Sequence, residues 1–113
     1  MKIYHNPRCS KSRQALTILN EKNIEFEIVE YLKDNLSISE LEIIIEKLDI
    51  NPISLVRKNE SIWKEKYKGK NLSDKEIVQA MAENPKIIER PIVINEKRAI
   101  LGRPPENILK IID

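Results

Sequence analysis

The chain has 113 residues, 20 Lys and Arg against 18 Asp and Glu, a formal net charge of +2 and 41% hydrophobic residues. A chain of this length buries roughly two thirds of its unfolded surface, which supports one core, so we predict a single domain over residues 1–113. Charges of both signs are interleaved, without the basic stripe that nucleic-acid binding needs, so we expect no direct nucleic-acid partner.

The cysteine count and the lengths of the apolar runs exclude several further classes of protein. One Cys cannot form an internal disulfide, and with the single His it falls short of the about four ligands that structural zinc needs. No apolar run approaches the about 20 residues that cross a bilayer, and the N-terminus does not resemble a secretory signal. We therefore expect a cytoplasmic, reduced protein with no metal, no bound cofactor and no membrane contact.

The first part of the chain is predicted to form a strand, a helix and a second strand. Residues 2–5 read as a short strand that stops at Pro7, whose ring supplies no ladder donor. Helical spacing over residues 10–21 places four apolar residues on one face, namely Ala15, Leu16, Ile18 and Leu19. The alternation that opens residues 25–29 is typical of a half-buried strand. Such a connection implies a parallel, right-handed unit.

Residues about 37–89 are predicted to be a helical insert. Capping boxes over residues 37–40 and 73–76 each precede apolar residues at helical spacing. Between these two helices, Asn51 as N-cap and a Pro at the first helical position favour a short helix over residues 52–57.

The last part of the chain is predicted to be a hairpin followed by a helix. Residues 92–94 and 99–101 flank a polar turn, and Gly102 ends the second strand. The terminal helix is expected to turn Ile108, Leu109 and Ile112 inward. The order βαβ, helical insert, ββα matches an α/β thioredoxin-like fold, with a four-stranded mixed sheet.

Cys9 lies between the first strand and the first helix. A thiol at a helix N-terminus meets unpaired backbone N–H groups and the positive end of the helix dipole, and both favour the thiolate. Three nearby basic residues add positive charge, namely Arg8, Lys11 and Arg13. We therefore interpret Cys9 as a nucleophile rather than a buried apolar residue.

Ser12 completes a C-x-x-S motif where a dithiol oxidoreductase has its second Cys. An oxidised Cys9 must then be resolved by an external thiol, such as glutathione or another small redox protein. The Ser12 hydroxyl is a candidate hydrogen-bond donor to the thiolate, and an ordinary first-turn serine is an equal alternative.

Three arginines fall at predicted element ends: Arg57, Arg90 and Arg103. In a Lys-rich chain this position suggests that the planar guanidinium fork is used. In the predicted fold the residues around Cys9, Arg90 and Arg103 meet at one end of the sheet, so a tetrahedral oxyanion is the predicted ligand. Two further residues fit the same site: His5, which ends the first strand, and Pro91, placed as a cis-proline beside an active thiol would be.

Four segments resemble the glutathione- and glutaredoxin-dependent arsenate reductases of the ArsC family, and the resemblance covers nearly the whole chain. They are residues 4–13, 55–57, 88–93 and 101–106. The resemblance implies that Cys9 attacks arsenate, that the three arginines hold the oxyanion and that His5 tunes the thiol. It also implies glutathione as co-substrate and glutaredoxin as partner. The length is similar to that of the compact subgroup of this family.

Two alternatives stay open at this point. A glutathione-linked thiol-disulfide oxidoreductase would use Cys9 but has no need of three converging arginines. An Spx-type redox regulator that binds RNA polymerase resembles the chain in length, but such regulators usually carry a C-x-x-C disulfide switch, which Ser12 cannot form.

Overall fold

The computed structural model describes residues 1–112, and it contains a four-stranded mixed sheet. The strands are β1 (Lys2–Tyr4), β2 (Glu27–Val29), β3 (Ile92–Ile94) and β4 (Ala99–Leu101). They are ordered β2-β1-β3-β4. The β1–β2 pair is parallel and the β1–β3 and β3–β4 pairs are antiparallel. The predicted α/β architecture with a four-stranded mixed sheet is therefore confirmed.

Four α-helices and three 3₁₀ segments complete the described part of the chain. The α-helices are α1 (Ser10–Glu21), α2 (Ile38–Leu48), α3 (Ser61–Lys66) and α4 (Asp74–Glu83). The 3₁₀ segments are Pro52–Leu55, Pro85–Ile87 and Pro105–Lys110. No helix among residues 1–112 is both long and apolar enough to cross a membrane.

The chain divides into two compact units. The strand unit contains Met1–Asp34 and the chain from Arg90 onward, and the helical unit contains Asn35–Glu89. The prediction that residues 1–113 form a single domain stays a prediction.

The core of the strand unit lies between the sheet, α1 and the terminal 3₁₀ segment. Its fully or almost fully buried members are Ile3, Ala15, Leu19, Val93, Ile108 and Ile111. Burial of these side chains fixes α1 against the sheet, because the transfer of apolar surface out of water contributes about 1.5–3 kcal/mol for each large side chain. The start of α1 is thereby held at one end of the sheet.

Two sequence predictions about helices were wrong in detail, and a third helix was not predicted. The helix predicted over residues 52–57 is a 3₁₀ turn that ends at Leu55, because Val56 instead bridges to Ile88, and Asn51 makes no side-chain cap. The terminal helix is also 3₁₀, whose three-residue repeat turns Ile108 and Ile111 inward and leaves Leu109 45% exposed. Helix α3 was missed.

The missed helix has a physical explanation. It spans six residues, its N-cap makes no side-chain hydrogen bond, and among its residues only Trp63 is buried. Neither a capping motif nor an apolar repeat therefore marks it in the sequence.

Candidate active site

Three chain segments leave the sheet at the same end. The register pairs Tyr4 with Ile92 and Ile92 with Leu101. Three segments are consequently neighbours at this end of the strands: the loop after β1, the residues before β3 and the residues after β4. The Gly102 N–H donates to the carbonyl of Pro91 at 2.9 Å, which continues the pairing one step beyond the strands.

Gly102 allows this close approach because it has no side chain. A Cβ at this position would lie 2.8 Å from Cγ of Pro91, a separation that forces one of the two segments to move. The peptide bonds Arg90–Pro91 and Arg103–Pro104 are both cis.

Cys9 is the N-cap of α1, and it is partly exposed. Its backbone is extended (φ −94°, ψ 122°), its side chain makes no capping hydrogen bond, and the first turn of α1 holds no acidic residue. The first-turn N–H groups of α1 are therefore not satisfied by a side chain, and these donors and the helix dipole favour negative charge at this position.

The loop that positions Cys9 is organised by Asn6, which is 7% exposed. Asn6 Oδ1 accepts the N–H of Arg8 at 3.0 Å, and the Asn6 carbonyl accepts the N–H of Cys9 at 3.0 Å. The Asn6 N–H donates to Ser12 Oγ at 3.3 Å. These bonds fold residues 6–9 into a tight turn and tie it to the first turn of α1.

The sequence-based predictions assigned no role to Asn6. The sequence signal for this role is an Asn at the start of a turn. In an Asx turn, the Asn side chain accepts the N–H of the residue two positions later, here Arg8. The proposed donation from Ser12 to the Cys9 thiolate stays a prediction. The hydroxyl oxygen of Ser12 is completely buried and serves as acceptor for Asn6.

His5 is 5% exposed, and its Nδ1 is buried without a hydrogen-bond partner among the described residues. Burial lowers the pKa of His5 below its usual 6.5, the Arg13 guanidinium acts in the same direction, and the Glu30 carboxylate opposes them. The lowered pKa favours an uncharged ring at neutral pH. Arg13 is held by a 2.9 Å hydrogen bond from its Nη1 to the carbonyl of Pro7.

Arg90 and Arg103 lie together at the site end of the sheet. Arg103 is exposed, and its Nη1 donates to the carbonyl of Arg90 at 3.2 Å. Nε of Arg90 is buried and has no hydrogen-bond partner in the part of the chain that the structure describes. A buried guanidinium N–H without a protein acceptor is an uncommon feature, and it leaves a donor for an anionic ligand.

Arg57 lies in the helical unit, where carboxylates surround its guanidinium. Its Nη1 is 3.2 Å from Glu60 Oε1, and its Nε is 3.9 Å from Glu89 Oε1. The predicted role of Arg57 in oxyanion binding stays a prediction.

Comparison with known proteins places these features in a family. The model of the ArsC family matches residues 4–111. The chain is 42% identical to the arsenate reductase of Haemophilus influenzae over 97% of both chains. It is 43% identical to the Escherichia coli protein named "Uncharacterized protein YfgD" over 99% of this chain and 96% of that one.

A solved structure agrees in both sequence and shape. The arsenate reductase from Vibrio cholerae is 42% identical and superposes with a TM-score of 0.94, over 99% of this chain and 98% of that chain. The thioredoxin-like fold predicted from the element order is the fold of these relatives. The chain therefore belongs to the ArsC family.

Proposed function

We propose that this protein reduces arsenate to arsenite, with the Cys9 thiolate as nucleophile and with glutathione and glutaredoxin as external reductants. The observation that carries the proposal is the partly exposed Cys9 at an uncapped helix N-terminus, at the sheet end where Arg90 and Arg103 also lie. Membership of the ArsC family and relatives named arsenate reductase support the same conclusion.

In the first proposed step, the Cys9 thiolate attacks the arsenic of HAsO₄²⁻ and displaces hydroxide, forming a sulfur–arsenic bond. The difficulty is electrostatic, because two anions must approach each other. The Arg90 Nε–H, the Arg103 guanidinium and the helix N-terminus supply positive potential where the charge accumulates. Arg57 is the third proposed oxyanion ligand, and its contribution requires donors that are not committed to Glu60 and Glu89.

In the second proposed step, glutathione resolves the arsenic adduct. A new sulfur–sulfur bond joins Cys9 to glutathione, and the electron pair of the sulfur–arsenic bond stays on arsenic. Arsenic is thereby reduced from the +5 to the +3 state and leaves as arsenite, which takes the thiol proton. A glutaredoxin thiolate then attacks the glutathione sulfur and releases the Cys9 thiolate.

An external reductant is needed because the chain has one cysteine. With Ser12 where a second thiol would stand, no intramolecular disulfide forms after arsenite leaves. The same single free thiol suits a reducing compartment, and we propose the cytoplasm.

The proposal is tested by arsenate-dependent oxidation of NADPH, coupled through glutathione, glutaredoxin and glutathione reductase. We expect turnover that requires arsenate and disappears when either glutathione or glutaredoxin is omitted. Absence of arsenate-dependent turnover, combined with glutathione-dependent reduction of a small mixed disulfide, would instead identify a general thiol-disulfide oxidoreductase.

A further inference from the structure

A cleft of about 420 Å³ opens beside the Cys9 loop, entirely within the strand unit. Residues 5–8 form one wall, and residues that follow β2 form the other, namely Glu30, Leu32 and Lys33. The volume lies in the range of about 300–1,000 Å³ that is typical of small-molecule sites. Arg8 lines the cleft and directly precedes Cys9, so a ligand here is held next to the nucleophile.

The charges of the cleft suit a ligand that carries groups of both signs. Arg8 and Lys33 are cationic and Glu30 is anionic, while Pro7 and Leu32 supply apolar surface. Lys33 Nζ lies 3.5 Å from Glu30 Oε1, with the two side chains 75% and 37% exposed. A solvent-exposed ion pair of this kind contributes about 0–1 kcal/mol, so both groups can exchange partners at little cost.

A second, independent feature points to a ligand. His5 lines this cleft and is only 5% exposed. Its Nδ1 has no hydrogen-bond partner among the described residues. Buried polar atoms are nearly always hydrogen-bonded, and an exception calls for a specific explanation, such as a catalytic role or a partner from outside the chain. An uncharged imidazole nitrogen is a suitable partner for a peptide amide.

We infer that this cleft binds the external thiol as a small zwitterionic peptide of the glutathione type. Its carboxylates contact Arg8 and Lys33, its ammonium group contacts Glu30, and an amide group contacts the imidazole ring of His5. The inference rests on the proposed function, because the reaction proposed above consumes such a thiol. The new element is the location of the thiol site. It lies on the β2 side of the Cys9 loop, whereas Arg90 and Arg103 lie on the side of β3 and β4.

Binding is tested with S-methylglutathione, which cannot react with Cys9. We expect chemical-shift changes of backbone amides concentrated in residues 5–9 and 30–33. Reversing the charge of Lys33 in Lys33→Glu should weaken binding about five- to tenfold, since it replaces an attraction by a repulsion at an exposed site. The matched control Lys22→Glu, at the exposed C-terminal end of α1, should change the dissociation constant by less than about twofold.

A second measurement separates this inference from the proposed function. Without arsenate, the Cys9 thiolate attacks oxidised glutathione, which forms a Cys9–glutathione disulfide and releases one glutathione thiolate, and intact mass reports the rate. Lys33→Glu should slow this reaction about five- to tenfold, and alkylation by uncharged iodoacetamide should change less than about twofold.

The outcomes point in different directions. If arsenate turnover is absent while Lys33→Glu slows glutathionylation selectively, the cleft assignment stands and the proposed function fails. If arsenate is reduced but Lys33→Glu and Lys22→Glu bind S-methylglutathione equally, the cleft assignment is overturned and the proposed function stands. Shifts confined to residues around Arg90 and Arg103 would also overturn it.

Discussion

The helix of the strand unit and the two longer helices of the helical unit begin in opposite ways. Ser37 and Ser73 cap α2 and α4 with complete capping boxes, each with an acidic residue in the first turn. Helix α1 begins at Cys9, with no side-chain cap and no first-turn acid. The helical unit thus uses helix N-terminal donors for stability, whereas the donors at the start of α1 are not satisfied by a side chain, which suits the anionic substrate of the proposed function.

The arginines of the two units also differ in whether carboxylates of the protein pair with their guanidinium groups. In the helical unit, Arg57 is held by Glu60 and Glu89. In the strand unit, Nε of Arg90 is buried with no hydrogen-bond partner among residues 1–112, and Arg103 donates to the carbonyl of Arg90. Donors satisfied by carboxylates stabilise a fold, and buried donors without a protein acceptor are suited to a ligand.

The largest effect is expected for Cys9→Ser, which tests whether the start of α1 serves catalysis rather than stability. Loss of the nucleophile should lower arsenate turnover at least about 10³-fold. Serine is a preferred N-cap, and the extended backbone at this position (φ −94°, ψ 122°) suits a capping side chain, so the free energy of unfolding should rise by about 0.5–1 kcal/mol. Coupled kinetics and urea unfolding measure the two effects. Retained turnover would remove Cys9 from the mechanism.

Replacement of Arg90 or Arg103 by Lys keeps the charge but removes the planar fork. Loss of one such contact in the transition state costs about 2–4 kcal/mol, so arsenate turnover should fall roughly 30- to 1,000-fold. Alkylation of Cys9 should change little, because charge and helix are kept. The control is Arg98→Lys, in the turn between β3 and β4 at the opposite end of the sheet. A parallel fall in both activities would argue against an oxyanion clamp.

Alanine substitutions at the three N-cap positions test how much each cap contributes to the free energy of unfolding. Ser73→Ala removes the hydroxyl that accepts the Glu76 N–H at 3.2 Å, and it should lower the free energy of unfolding by about 1 kcal/mol. Ser37→Ala should have a similar effect, since its hydroxyl accepts the Glu40 N–H at 3.1 Å. Cys9→Ala should cost less than about 0.5 kcal/mol, as no cap bond is lost. Equal losses in urea unfolding at all three positions would contradict the comparison.

The smallest expected effect is a pH dependence that comes from His5, in the strand unit. His5 is the single histidine of the chain, and burial lowers its pKa below 6.5. The unfolded chain therefore gains a proton at higher pH than the folded chain, so the stabilisation is present above pH 6.5 and is lost as the pH falls toward the folded pKa. Urea unfolding at pH 7.5 and pH 5.5 should show a larger drop for the wild type than for His5→Gln. Equal drops would refute the burial effect.

The sequence by itself determined the elements whose signals are local. The bounds of α1 match the predicted residues 10–21, and both capping boxes formed where they were predicted. These signals survive because a cap or a helical repeat involves residues within about four positions of each other. The same locality explains why Cys9 could be assigned to a helix start without a structure.

Tertiary structure decided what depends on distant partners. The terminal segment became 3₁₀ and exposed Leu109, because its three-residue repeat turns Ile108 and Ile111 into the core. Nδ1 of His5 and Nε of Arg90 have no hydrogen-bond partner in the described part of the chain. The sequence could not predict this, since burial and hydrogen bonding depend on residues that are distant in the chain. Strand register brought Pro91 and Gly102 together across the hairpin, and such a pairing between separate segments follows from the sheet rather than from either segment alone.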